Sequence, residues 1–177
     1  RDIKFSVVRY GNVMGSRGSV IPFFLKKRKD GVLPVTDERM TRFNITLQEG
    51  VDFVLRNLES MWGGELFIPK IQSYNILDLA KAIAPECKIE VIGIRAGEKL
   101  HEEMITETDA LNTIEFDDYY VIVPFQKKWN TEEFLLSSNG STKGHVCEYG
   151  FKYNSGTNTD FLTVKQIKEL IQRELQY

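Results

Sequence analysis

Residues 3–31 hold the pattern that most restricts the fold. Ile3-Lys4-Phe5-Ser6-Val7-Val8-Arg9 places apolar side chains at 3, 5, 7 and 8, as a strand does. It runs straight into Tyr10-Gly11-Asn12-Val13-Met14-Gly15-Ser16-Arg17-Gly18-Ser19, where three glycines in eight residues mark a loop. Ser19 is placed to cap a helix over residues 20–29, closed by Asp30-Gly31. A strand feeding a loop and then a helix opens an α/β unit, and open α/β sheets take ligands at the carboxyl ends of their strands. Gly11, Gly15 and Gly18 would let backbone approach a ligand. Their spacing is not G-x-G-x-x-G, so the loop is no pyrophosphate fingerprint, and a plain turn also accounts for the glycines.

The rest of the chain continues the alternation. Leu33-Pro34-Val35-Thr36 is short and extended, and Met40–Ile45 reads as a strand. Thr46 and Glu49 form a capping box for a helix whose Leu47, Val51, Val54, Leu55 and Leu58 share one face. Gly63-Gly64 ends it, and Glu65–Ile68 is a strand. A second helix spans residues 76–84, with Ile76, Leu77, Leu79, Ala80 and Ile83 inward and Pro85 behind it. Ile89–Ile94 and Val121–Val123 read as strands, and residues 137–160 as loop. Thr163 and Gln166 open a final helix through Leu175 with a second capping box. The fold class is α/β, with no linker dividing the chain into independent domains.

The 177 residues are 42% hydrophobic and 27% charged, enough for a packed core. The net charge of −2 argues against a general nucleic-acid binder, and no apolar run is long enough to span a membrane. Cys87 and Cys147 are too few for a disulfide scaffold and fit two free thiols in a reducing compartment; one disulfide between them stays open. Charge is uneven: residues 1–42 carry ten Lys/Arg against four Asp/Glu. That basic quarter suits an anionic ligand, although Lys26–Lys29 also suit a solvated helix end.

The side chains offer a ligand site and no visible catalyst. Arg42 and Arg95 have the planar fork that grips phosphate, and Glu98, three residues beyond Arg95, has a carboxylate that accepts from sugar hydroxyls. Surface ion pairs account for the same residues equally well. His101-Glu102-Glu103-Met104 is not H-E-x-x-H, and His145 with Cys147 lacks a second ligand pair, so a metal site is not expected.

Four blocks, in this order, resemble one family: Arg9–Phe24, Met40-Thr41-Arg42-Phe43, Gly63–Lys70 and Arg95-Ala96-Gly97-Glu98-Lys99-Leu100-His101-Glu102; Glu115–Tyr120 continues the likeness. The family is the inverting UDP-N-acetylglucosamine 4,6-dehydratases, extended short-chain dehydrogenase/reductases. The resemblance runs over residues 3–124 and weakly onward. It implies a Rossmann domain for NADP and a smaller carboxyl-terminal domain for the UDP-sugar. On this chain, residues 1–68 would be the last Rossmann strands and helices with interleaved substrate loops, and 69–177 the UDP-sugar-binding part. The implied reaction oxidises the sugar at C4, eliminates water across C5–C6, returns the hydride to C6 and inverts C5. Pseudaminic acid and surface glycans lie downstream. The implied setting is the cytoplasm and the implied state a homo-oligomer.

The resemblance also implies roles. Gly11, Asn12 and Val13 would lie by the nicotinamide, with Asn12 also touching the substrate. Ser19 and Val20 would sit at the uridine end, and Leu33, Val35 and Thr36 would line the uracil. Arg42 and Arg95 would hold the diphosphate and Glu98 the ribose. Asn44, Ala96 and Asn75 depart from the family, which usually shows an aromatic, a proline and a basic residue there. The family's glycine-rich fingerprint and Tyr-x-x-x-Lys pair do not occur, so no catalytic residue is expected in this chain. The resemblance starts at about the sixth Rossmann strand, which implies the carboxyl-terminal half of such an enzyme, inactive alone and with apolar surface uncovered. A retaining dehydratase, a 4-epimerase or a stand-alone UDP-sugar-binding remnant would share the same grip.

Overall fold

A computed structural model describes residues 3–136 and 143–175. In chain order its elements are β1 (Val7–Val8), β2 (Asn12–Val13), α1 (Val20–Lys27), β3 (Val32–Val35), β4 (Thr41–Ile45), α2 (Leu47–Ser60), β5 (Leu66–Pro69), β6 (Ser73–Asn75) and α3 (Ile76–Ile83). There follow β7 (Lys88–Val91), β8 (Glu103–Ile105), α4 (Glu107–Ala110), β9 (Thr113–Glu115), β10 (Tyr119–Ile122), α5 (Thr131–Leu136), β11 (His145–Val146), β12 (Tyr153–Asn154) and α6 (Val164–Leu175). The mixed α/β class expected from the alternation is what is found.

These elements gather into two units, each built from three stretches of chain. The first comprises Arg1–Tyr10, Gln48–Lys70 and Glu103–Tyr153. Its sheet has the order β1-β5-β10-β9-β11, parallel between β1 and β5 and antiparallel beyond. Phe53, Phe67, Ile114, Phe116, Val121 and Phe134 form its core. The fully buried Glu65 is satisfied locally: it accepts from the Ser6 hydroxyl at 2.6 Å, from the Gly63 N–H at 2.8 Å and from the Trp62 N–H. Gly63 and Gly64 can make that turn because both take a positive φ.

The second unit comprises Gly11–Leu47, Ile71–Glu102 and Asn154–Tyr177. Strand β4 lies between β2, parallel, and β6, antiparallel, while β3 and β7 form a separate parallel pair. Phe24, Leu33, Leu79, Ala80 and Ile167 meet in its core. The capping box of α6 is present: the Gln166 N–H donates to the Thr163 hydroxyl, and the Gln166 amide oxygen accepts from the Thr163 N–H at 2.9 Å. Asn75, where the family tends to carry a basic residue, caps α3 by accepting from the Leu77 N–H at 2.7 Å.

Several expectations shift. The ladder part of β1 is two residues rather than seven, and the helix after Ser19 ends at Lys27 in a 3₁₀ turn closed by Gly31 at φ 71°. Ser19 stands at the N-cap but its hydroxyl makes no cap hydrogen bond. The strand read at 89–94 lies one residue earlier and stops at Val91. Within the segment read as loop, residues 137–142 lie outside the described residues, and the remainder carries β11 and β12. The apolar stripe of α2 does share one face, but that face is exposed, and Phe53 with Gly50 and Asn57 packs inward instead.

Candidate functional site

The second unit contains a cavity of about 410 Å³. Its walls come from three places. The loop and first turn of α1 bring Asn12, Gly18, Ser19, Val20, Phe23 and Phe24; β3 and its exit bring Pro34, Val35 and Thr36; the segment after β7 brings Ile92, Arg95 and Glu98. Met40, Arg42 and Ile76 complete it. Pro22 is tolerated beside it because the first turn of a helix has N–H groups without intrahelical partners anyway.

Eight expected residues therefore converge on one space: Asn12, Ser19, Val20, Val35, Thr36, Arg42, Arg95 and Glu98. Three do not line it. The Leu33 side chain is fully buried in the core behind β3. Val13 lines a much smaller hollow next to Asn12 and Asn44. Gly11 is held by its own chain, since a Cβ there would stand 2.5 Å from the Cβ of Phe43. Phe23, Phe24, Pro34, Met40, Ile76 and Ile92 are walls that residue chemistry alone did not single out. Apolar side chains at helix and strand spacing carry no mark that separates a cavity wall from a core.

The two arginines are held differently. Arg42 is half-buried and spreads its guanidinium over backbone carbonyls: Nη1 donates to Thr41 at 2.7 Å and Leu100 at 3.1 Å, and Nη2 to Lys99 at 3.1 Å. The carbonyls fix it in place without cancelling its charge, which the Glu102 carboxylate 3.8 Å from its Nε offsets in part. Arg95 is exposed, and its guanidinium has no partner among the described residues. Its turn is tied by reciprocal bonds, the Arg95 N–H donating to the Glu98 carboxylate at 3.0 Å and the Glu98 N–H to the Arg95 carbonyl at 3.1 Å. The Ser19 hydroxyl is buried and makes no hydrogen bond, an orphan at the mouth of a helix N-terminus.

Glu102, absent from the expected set, lies behind this wall. Its carboxylate accepts from the Phe43 N–H at 3.2 Å and stands 3.8 Å from Arg42 Nε. Burial lifts its carboxyl above the ordinary range, against the pull of these donors. Next to Thr36 of the cavity wall, the Arg39 guanidinium and N–H hold the partly buried Asp37 carboxyl down at about 2. No group of three His, Cys, Asp or Glu among the described residues is placed to hold a metal ion.

A cavity walled by two arginines, a carboxylate and the start of a helix presents groups suited to a phosphorylated ligand. The chain belongs to the polysaccharide biosynthesis protein family, whose pattern it matches over residues 1–124. Within that class it is 50% identical to the inverting UDP-N-acetylglucosamine 4,6-dehydratase of Campylobacter jejuni subsp. jejuni serotype O:2, over 97% of this chain and 52% of that protein. It is 36% identical to the UDP-glucose 4-epimerase of Rickettsia conorii, over 93% of this chain and 48% of that protein. Among solved structures it is similar to Pen from Bacillus thuringiensis, with a TM-score of 0.78 and 30% identity over 98% of this chain and 51% of that one. The chain spans about half the length of the curated relatives it matches.

Proposed function

We propose that this chain supplies the UDP-sugar site of an inverting UDP-N-acetylglucosamine 4,6-dehydratase. The observation that carries the reading is the convergence of eight residues from four segments on one cavity with two arginines. In this reading Arg95 closes its free fork on the diphosphate, and Arg42, held in the wall of the same cavity, adds its positive charge. Glu98 accepts from ribose hydroxyls, and Val35 and Thr36 flank the base. Ser19 and Val20 lie at the uridine end, where the orphaned Ser19 hydroxyl gains a partner. Holding the unreactive end of a substrate positions the reacting end, so the clamp serves the chemistry without touching it.

The residues fit only one edge of NADP. Gly11 and the short strand Asn12–Val13 can flank a nicotinamide, but no glycine-rich phosphate cradle occurs in the sequence. When bound, NADP would supply the hydride acceptor, and the catalytic tyrosine and lysine would come from outside these residues. The division at 68/69 between Rossmann and UDP-sugar parts, a cytoplasmic setting, a homo-oligomer and a product used for pseudaminic acid belong to the same proposal.

Titration of the full-length protein with UDP by calorimetry tests the site. Arg95→Ala is expected to weaken UDP binding by roughly 10- to 100-fold, the range for a hydrogen bond to a charged group. Unchanged affinity would remove the clamp. The likeness to a 4-epimerase supports a second reading on the same grip. Turnover of UDP-N-acetylglucosamine in heavy water separates them: a dehydratase gives a 4-keto-6-deoxy sugar with deuterium at an inverted C5, whereas a product that keeps its 6-hydroxyl excludes one.

A further inference from the structure

Ser19 has the backbone of a helix cap without the side-chain bond of one. It stands at the N-cap of α1 with φ −75° and ψ 169°, the extended conformation usual there, and its carbonyl accepts from the Phe23 N–H at 3.3 Å. Its hydroxyl is buried and makes no hydrogen bond among the described residues. Two other hydroxyl caps in the chain show what is missing. Thr106 at the start of α4 accepts from the Asp109 N–H, and Thr163 at the start of α6 accepts from the Gln166 N–H, each at 3.3 Å and each from three residues on. Three residues beyond Ser19 stands Pro22, which has no N–H to give.

The consequence falls on the cavity, whose wall includes Ser19 and Val20. A capping hydroxyl is committed to the helix and must give up that bond before it can serve a ligand. The Ser19 hydroxyl is committed to nothing, so rotation about χ1 toward a ligand breaks no bond. It then donates to an acceptor oxygen, as a serine hydroxyl with its one O–H can. The neighbouring Val20 and Ile21 N–H groups, in the first turn of α1, have no intrahelical partner and favour the same kind of atom.

We infer that Pro22 is a positioning residue: by withholding the N–H that would take up the Ser19 hydroxyl as a helix cap, it keeps that hydroxyl available to an acceptor oxygen at the uridine end of the ligand. The inference rests on the UDP-sugar reading of the cavity. A proline that merely shapes the helix would matter whether or not Ser19 has a hydroxyl; one that acts through Ser19 would not.

A double-mutant cycle in the full-length protein, read by UDP titration, separates the two. Pro22→Ala supplies the missing N–H. It is expected to weaken UDP binding about fivefold when Ser19 is present and no more than about twofold in the Ser19→Ala background. Any effect of losing the ring itself appears in both backgrounds and drops out of the cycle. Pro22→Gln reproduces the capping box of α6 and is the variant to read if Pro22→Ala does not fold; its expected loss is about tenfold, with the same dependence on Ser19. Thermal melting gives a second reading. Ser19→Ala should leave the melting temperature at or above that of the wild type, because its hydroxyl caps nothing, whereas Thr163→Ala should lower it by about 2–4 °C. Equal losses of affinity in the two backgrounds, or a melting temperature that falls as far for Ser19→Ala as for Thr163→Ala, overturn the inference while leaving the UDP site intact. A wild-type protein that does not bind UDP overturns the site reading and this inference with it.

Discussion

The two units treat their apolar side chains in different ways. The second closes its core around Phe24, Leu33, Leu79 and Ile167, opens a polar-edged cavity, and exposes large apolar side chains mainly near that cavity and β7, such as Val91, Ile92 and Ile94. The first closes an aromatic core on one side of α2 and leaves the other side bare: Val51, Val54, Leu55 and Leu58 are exposed, as are Ile3, Phe5 and Val7 on the stretch entering β1. A contiguous apolar face of this kind is uncommon on a free surface. The difference shows that amphipathic spacing says that a helix has two faces, and not which of them finds a partner within the chain at hand.

The contrast can be broken most directly in the closed unit. Phe24→Ala removes a fully buried ring and is expected to cost about 3–5 kcal/mol, read from urea unfolding. A loss below about 1 kcal/mol would mean that core is not tightly packed. The two cysteines, one in each unit, then compare local opening without mutation. Burial pushes the Cys147 thiol up to about 11, while Cys87 is half-buried at the surface of its unit. At pH 8, Cys87 should be alkylated at least about tenfold faster, and the Cys147 rate should climb about tenfold per pH unit toward 11. Equal rates at pH 8 would show that the first unit opens freely. The smallest effect is expected on the bare face: in this chain Leu55→Asp should change stability by no more than about 0.5 kcal/mol, because the side chain is already in water. A larger loss would show that the face is covered after all.

Much of this was legible from residues, for reasons that differ by element. Helix α3 declared itself by its period and α6 by its capping box, while the Arg95–Glu98 turn and the loop after β1 became site candidates through the family resemblance rather than by pattern alone. The small pieces were not legible. Strand β9 and helix α4 are three and four residues long, too short to show a period. Glu102 stood in a run of acidic residues that only excluded a zinc motif. Its backbone is held by Ser155, more than fifty residues away, and no local pattern records such a contact. Asn44, the departure beside Arg42, is buried opposite Asn12 in the β2–β4 ladder, where a bulky ring would compete for the same hollow.

The interleaving of the units sets a condition on how the protein is made. The second unit takes its strands from residues 11–47 and 71–102 but seats Ile167 and Ile171 of α6 in the same core. A chain emerging amino end first cannot complete that core until α6 has left the ribosome. The strands of the second unit must therefore wait through the whole of residues 103–153, and the contact of Ser155 with Glu102 forms only after that wait. An early stop within α6 would thus be felt in the cavity, although no residue of α6 lines it.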